Sequence, residues 1–355
     1  MEVDKIVNVY RILSKIIEDN YPIEIVCEIT RKCTWDCRFC YIEKHEEGEL
    51  KTDEYFNILD ELSSMGTFVV TITGGEPLLR NDIFDIANYA RKKGMGLILY
   101  TNGELIQDSV VAKDITRLFG KIEISIHAGE PSIHDFLVRK EGAWEKALNA
   151  VYLLKIYNAN VVIKTVVTKQ GLPSLKKLEE IVSKLNVEWF ADVEIAPTYS
   201  GDYFKRSMYM LNFDEVKTFR SMFEKFSRTI KENSSKKRIT CKAGRSSFFI
   251  DYKGYVYPCP EFVIDKEHYI KNVDNLKEKS FKEIINGNTL IEEIRKVKDD
   301  AFQKCLRCEL LHDCVVCIAK NYKYWNDITY PSPLVCIQTL FNNIYRDKLT
   351  PFLFR

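Results

Sequence analysis

Between about residues 21 and 197, short apolar stretches alternate with longer segments whose apolar positions recur at helical spacing. The short stretches predict six strands, at 22–30, 68–73, 96–101, 121–127, 160–167 and 191–196. Helices of the 3.6-residue period are expected near 53–65, 82–93, 105–118, 142–157 and 172–185. Strand and helix in regular alternation is the pattern of a parallel sheet with crossover helices, so the expected class is α/β, a partial (β/α)6 barrel. Several strands are only half apolar. Val69, Thr71 and Thr73 alternate with Phe68, Val70 and Ile72; Glu123, Ser125 and His127 alternate with Ile122, Ile124 and Ile126; Asp192 and Glu194 alternate with Val193 and Ile195. Such strands can back onto helices while facing a wet, ligand-sized interior, although an antiparallel sheet with one wet face has the same pattern.

The flanks differ in texture. Residues 1–20 place Ile6, Val9, Tyr10, Leu13, Ile16 and Ile17 at helical spacing among charges, which predicts an amphipathic helix rather than a secretory signal. After 197 come an aromatic loop (199–209), a long amphipathic helix (213–233) and the linker Ser234-Ser235-Lys236-Lys237. A hairpin at 247–251 and 255–257, turned at Tyr252-Lys253-Gly254, opens a C-terminal cysteine-rich part in which short helices are expected. The expected division is 1–20, 21–212, 213–237 and 238–355. No run of about 18 apolar residues is present, so a soluble, cytoplasmic protein is expected and a membrane partner is not. The 52 Lys and Arg nearly cancel the 51 Asp and Glu, leaving no bulk field to gather nucleic acid.

Eleven cysteines change the picture. In a reducing compartment disulfides are rare, which turns attention to metal or redox chemistry. Three stand at 33, 37 and 40, seven between 241 and 336, and Cys27 is alone on a predicted strand, where a buried small residue is the simple reading. Cys33-Thr-Trp-Asp-Cys37-Arg-Phe-Cys40 follows the first strand, where one loop can gather three thiolates on a cluster face and leave one iron open. Zinc is the alternative, but it ordinarily takes four ligands and no fourth lies nearby in sequence.

This spacing, with Phe39 before the last cysteine, resembles the signature of the radical S-adenosylmethionine superfamily. The resemblance implies a four-iron cluster on Cys33, Cys37 and Cys40 whose open iron chelates S-adenosylmethionine. Further motifs stand in the family's order. Gly74-Gly75-Glu76-Pro77 follows the second strand and resembles the loop that meets the methionyl amine; Asn102 and Ser125 end the third and fourth strands; Arg139 follows His134-Asp135. By resemblance they contact ribose and carboxylate, and Ile195, Ala196 and the backbone of Phe39 meet the adenine.

Cys241, Gly254 and Cys259, then Cys305, Cys308, Cys314, Cys317 and Cys336, resemble the SPASM extension, which carries two auxiliary four-iron clusters and would bring the total to three. Two residues separate Cys314 from Cys317 where the family usually has three. The family's interleaved pattern implies an outer set of Cys305, Cys308, Cys314 and Cys336, and an inner set of Cys241, Cys259 and Cys317 that is one ligand short. An open or non-cysteine position on the inner cluster is therefore expected. A zinc-stapled cap is the alternative.

Enzymes of this resemblance are oxidoreductases that commonly modify peptides, as in the maturation of ribosomally made peptide products. A thioether, a carbon–carbon crosslink, an oxidation or an epimerised residue is accordingly expected. The alternatives are radical oxidation or decarboxylation of a small molecule such as a haem precursor, and, in another class, a non-catalytic iron–sulfur electron carrier. A reducing partner such as flavodoxin or ferredoxin is implied. With only about twenty residues before the first strand, leader recognition would fall to a separate protein or to the enzyme's own surface. Strand parity marks Glu28, His127, Lys164 and Glu194 as acid–base candidates, a buried salt bridge being an equal account of Lys164; Tyr199 and Asp202 could meet substrate.

Overall fold

The computed structural model describes residues 20–43, 47–196, 198–199, 204–223, 241–263, 273–337 and 339. The expected N-terminal helix, the linker at 234–237 and Asp202 lie outside them. Six parallel strands lie side by side in chain order: β1 (Glu24–Glu28), β2 (Val69–Thr73), β3 (Gly96–Thr101), β4 (Lys121–Ser125), β5 (Val161–Val166) and β6 (Glu188–Asp192). Between them run α1 (Thr52–Ser64), α2 (Ile83–Lys92), α3 (Ser109–Leu118), α4 (Pro131–Val138), α5 (Ala143–Ile156) and α6 (Leu175–Leu185).

The alternation along the strands sorts their two faces. Ile25, Cys27, Val70, Ile72, Leu97, Leu99, Ile122, Ile124 and Ile163 are buried in one core with Leu62, Ala87, Ile115, Val151 and Leu178 from the helices. The opposite positions, among them Glu28, Thr73, Tyr100, Glu123, Ser125, Lys164 and Phe190, form the inner face. That face is partly accessible to solvent: Tyr100 is 36% exposed and Phe190 43%. It is the wall of a lumen rather than a packed centre.

Two features depart from the sequence reading. The sixth strand, expected at 191–196, runs Glu188–Asp192 instead. Helix α6 ends at Asn186 in the left-handed region (φ 48°), so the chain is free to pair two residues later, Glu188 against Val162 through Asp192 against Val166. Asp192 Oδ1 then accepts the Glu194 N–H at 3.0 Å and turns the chain out of the sheet. Ile195 and Ala196 thus sit just beyond the strand. Second, the hairpin β7 (Ser247–Ile250) and β8 (Val256–Tyr257) continues the barrel sheet, because β7 lies parallel to β1 with Glu24 opposite Ser247 and Cys27 opposite Ile250. The sheet has eight strands, ordered β6-β5-β4-β3-β2-β1-β7-β8.

Beyond the barrel, α7 (Phe204–Ser207) and α8 (Phe213–Met222) precede the hairpin. After it come α9 (Phe281–Gly287), α10 (Thr289–Lys296), α11 (Gln303–Leu306) and α12 (Ile318–Trp325). A second core holds Phe249, Tyr257, Phe262, Phe302, Ile318 and Ile328 together. No described helix is long and apolar enough to cross a membrane.

Candidate functional site

The loop of Cys33, Cys37 and Cys40 leaves β1 at the carboxyl rim of the sheet, where parallel α/β folds collect their ligands. It is fastened on two sides. Toward β2, the Gly75 N–H donates to Thr30 O at 2.8 Å and the Glu76 N–H to Lys32 O at 2.7 Å. Toward α4, the Asp36 N–H donates to Val138 O at 3.1 Å and the Arg38 N–H to Leu137 O at 2.9 Å. Arg139, left-handed at φ 53°, closes α4 and pairs with Asp36 at 2.7 Å. The last half-turn is compact, with the Cys40 N–H on Cys37 O at 3.1 Å.

These contacts gather the three thiols into one another's field. Burial pushes Cys33 up to about 11, with Glu76 and Cys40 adding to the rise; Cys37 is raised well above an ordinary thiol by burial, then by Cys40 and Cys33. Three thiolates that oppose one another's ionisation need positive charge among them, which a bound metal centre would supply. Among the described residues no three His, Cys, Asp or Glu stand close enough to hold a single metal ion.

The glycine pair also packs the rim against the cysteine loop. A Cβ on Gly74 (φ +154°) would lie 2.2 Å from Thr30 O, and one on Gly75 2.3 Å from Lys32 O. Their bareness lets the β2 rim press against the cysteine loop's own backbone. Glu76 is fully buried, and its carboxylate accepts from the Asn102 N–H at 2.7 Å, Thr101 Oγ1 at 2.8 Å and the Leu78 N–H at 3.1 Å. Burial lifts it to about 7, against the pull of those bonds. Both of its oxygens fix the end of β3, which carries Asn102, and Asn102 Nδ2 in turn reaches Thr34 Oγ1 at 2.9 Å and Cys33 Sγ at 3.9 Å. Phe39, Leu137, Ile195 and Tyr209 form a small apolar cluster beside the loop, and Ser125 ends β4 between them and Asn102 in the order of the sheet.

Arg206 is a residue the sequence reading did not single out. It is 5% exposed and donates to Ala196 O at 2.7 Å and to Cys40 O, tying the segment after β6 to the final cysteine.

The acid–base candidates separate by environment. Glu28, 1% exposed at the end of β1, is raised to about 7 by burial despite Arg31, whose Nε lies 3.2 Å from Oε2. Tyr199 Oη donates to Glu28 Oε1 at 3.4 Å, and the Arg31 guanidinium lies between the rings of Tyr199 and Tyr252, 4.6 and 4.5 Å from their centroids. Tyr41, next to Cys40, meets Tyr199 edge-on at 5.4 Å. Lys164 pairs with Glu123 at 3.1 Å and lies 4.1 Å over the Phe190 ring. Glu194 pairs with Lys320 of α12. His127 is held neutral by burial; its Nδ1 accepts the Val166 N–H at 3.2 Å and its ring packs on Phe39 and His134.

The C-terminal cysteines fall into two neighbourhoods. Cys305 is raised to about 11 by burial and by Cys314, Cys336 and Cys308, so these four share one field; Thr339 Oγ1 donates to Cys314 Sγ at 3.2 Å. Cys259 is raised well above an ordinary thiol by burial, Cys317 and Cys241, and these three share another. Backbone N–H groups of Ala243, Glu261 and Lys320 face Cys241, Cys259 and Cys317 in turn. Cys27 is apart from both, 4% exposed in the helix-side core, its thiol pushed up to about 12.

Residues 27–182 match the model of the radical SAM superfamily, and 241–309 that of an iron–sulfur cluster-binding domain, SPASM. The AdoMet-dependent heme synthase of Methanosarcina barkeri is 26% identical over 345 residues, 88% of this chain and 96% of its own. The mycofactocin maturase MftC of Mycobacterium tuberculosis is 26% identical over 290 residues, 78% of this chain and 73% of its own. Streptococcus suis SuiB bound to its precursor peptide SuiA has the same fold, with a TM-score of 0.71 at 17% identity over 94% of this chain and 81% of SuiB.

Proposed function

Because this chain belongs to the radical SAM superfamily and carries a SPASM auxiliary-cluster domain, we propose that it is an enzyme that modifies a peptide or protein side chain by hydrogen abstraction. When bound, a four-iron cluster and S-adenosylmethionine supply a 5′-deoxyadenosyl radical through one-electron cleavage of the sulfonium. Cys33, Cys37 and Cys40 hold that cluster. Asn102, Ser125, Arg139 and the Gly74–Pro77 rim orient the polar end of S-adenosylmethionine, and Phe39, Ile195 and Ala196 wall its adenine. Cys305, Cys308, Cys314 and Cys336 hold one auxiliary cluster, and Cys241, Cys259 and Cys317 three corners of another.

The observation that carries this reading is the position of the three-thiol loop at the rim of a lumen that solvent enters, with Glu28 at the end of the strand that leads into it. A substrate side chain reaching into the lumen meets Tyr100 and Phe190 beside the polar Glu123 and Lys164. The peptide class is supported by the similarity to the mycofactocin maturase over 78% of the chain. Anaerobically reconstituted protein is expected to hold about twelve iron atoms, four per cluster. With dithionite and S-adenosylmethionine it should release 5′-deoxyadenosine; iron-replete protein that releases none is a carrier rather than an enzyme.

A second reading, oxidation of a haem precursor, is favoured by the match to a heme synthase along 96% of that protein. Mass spectrometry of reactions containing either a candidate precursor peptide or a haem precursor separates the two. Turnover of the haem precursor alone overturns the peptide reading.

Glu28 is the side chain we assign to take up the proton that leaves the substrate. Arg31, Asp251, Tyr199, Tyr41, Tyr55, Tyr257 and Cys40 are charged or titratable groups within its field. Its value of about 7 leaves it mostly protonated at pH 6 and mostly ionised at pH 8. An acceptor must be ionised, so the fraction of radical events ending in product rises with pH through about 7. Glu28→Gln should remove that rise and lower product at least tenfold while 5′-deoxyadenosine release continues. An unchanged pH profile in the variant removes Glu28 from the role.

A further inference from the structure

Among the described strand residues, Lys121 and Lys164 are the cations on the inner face of the barrel. Both meet one carboxylate. Glu123, buried on β4, faces Lys121 Nζ with Oε1 at 2.7 Å and Lys164 Nζ with Oε2 at 3.1 Å. Each oxygen serves a different ammonium group, so the trio keeps one net positive charge.

The three residues are ordered along the lumen. Lys121 opens β4 at its amino end, Glu123 is at its middle, and Lys164 stands abreast of Ser125 at the carboxyl rim, with Phe190 on its other side. Lys164 Nζ lies 4.1 Å from the centre of the Phe190 ring and 5.7 Å from that of Tyr100, and its side chain is 34% exposed. An isolated ion pair on a strand needs only one lysine. Here Lys121 already neutralises Glu123, so Glu123 acts on Lys164 as a tether: it holds the ammonium beside the two rings and leaves N–H donors of that group unspent. The other carboxylates of this face are engaged or stand at the far end. Glu28 pairs with Arg31 at 3.2 Å, Asp192 accepts the Glu194 N–H at 3.0 Å, and Glu24 and Glu188 are the first residues of β1 and β6, away from the rim.

We propose that Lys164 binds a carboxylate of the substrate inside the lumen, so that the preferred peptide carries an acidic side chain, or its own terminal carboxylate, on the segment that enters the barrel. This rests on the reading of the protein as a peptide-modifying enzyme. Tyr100 and Phe190 flank the carbon stem of the entering group, and Glu123, neutralised by Lys121, positions Lys164 without repelling the incoming charge. The contact is a charge-assisted hydrogen bond formed where aromatic walls shield it from part of the solvent.

The test is isothermal titration calorimetry of the full-length, anaerobically reconstituted protein holding S-adenosylmethionine, with short alanine peptides as probes. One peptide has blocked ends and a central Glu, another blocked ends and a central Gln, and another a free C-terminus and no acidic side chain. The Glu peptide or the free-terminus peptide is expected to bind at least about tenfold more tightly than the Gln peptide, and whichever does so identifies the source of the carboxylate. Lys164→Met, which keeps the apolar stem, should erase that preference, and Lys164→Arg should retain it. The Gln peptide, bound equally by all three proteins, reports that the lumen of the variants is intact. Equal binding of acidic and neutral peptides by the parent protein, or a preference that survives in Lys164→Met, overturns the proposal and leaves the peptide reading standing. Binding of iron coproporphyrin III but of no peptide overturns the peptide reading, and the proposal falls with it.

Discussion

Alanine at Cys33, Cys37 and Cys40 together is expected to abolish 5′-deoxyadenosine formation while leaving the protein folded and its auxiliary iron in place. The three thiols are the only cysteines on the rim loop, and each is raised by burial, so none is easily replaced by a distant donor. The loop's fastening is backbone to backbone, through Gly75 and Glu76 on one side and Leu137 and Val138 on the other, and alanine side chains disturb none of those bonds. Iron should fall by about four atoms per chain, the content of one cluster. Chromatographic assay for the nucleoside, with iron analysis on the same sample, checks both halves. A triple variant that still cleaves S-adenosylmethionine above the level of free iron and sulfide would place the radical centre elsewhere.

Gly75→Ala is expected to be nearly as damaging without touching a ligand. The added methyl would lie 2.3 Å from Lys32 O and 2.8 Å from Arg31 O, backbone atoms that cannot rotate aside. The rim must part from the cysteine loop, which stretches the 2.8 Å bond from the Gly75 N–H to Thr30 O and the 2.7 Å bond from the Glu76 N–H to Lys32 O. Overpacking of this kind costs about 1–3 kcal/mol. The displaced atoms lead directly into Cys33, so the functional loss should exceed the loss of stability. First-cluster iron and affinity for S-adenosylmethionine should both drop at least tenfold, read by iron analysis and equilibrium dialysis, while the melting temperature falls by only a few degrees. Normal loading and affinity would mean that the contact is slack.

Much of the site was legible because a parallel sheet puts every strand end on one rim. Once β1 to β5 are recognised from their apolar runs, Cys33, Gly74, Asn102 and Ser125 must gather there, whatever the details of packing. In the C-terminal part, Cys305 feels the charge of Cys314, Cys336 and Cys308, and Cys259 that of Cys317 and Cys241. What stayed hidden depends on contacts between residues far apart in the chain. Arg206 meets Cys40 O across 166 positions, and Tyr199 meets Glu28 across 171, with no local pattern to announce either. Gly74 and Gly75 could be recognised as bare, but what their bareness admits is backbone from the loop after β1, a fact of tertiary approach. The sixth strand slipped because Glu188, Trp189 and Phe190 look like the end of a polar turn until the partner β5 is known. On an edge strand, a neighbour's register outweighs local hydrophobicity.

The parallel pairing of β7 with β1 has a consequence for how the molecule can be divided. A chain cut short after the barrel would expose one whole flank of its first strand as a row of backbone amides and carbonyls without neighbours. Such a border is sticky, and self-association of the severed half is the natural outcome. The cysteine-rich portion therefore serves as a hem, finishing a fabric that would otherwise ravel into its own copies.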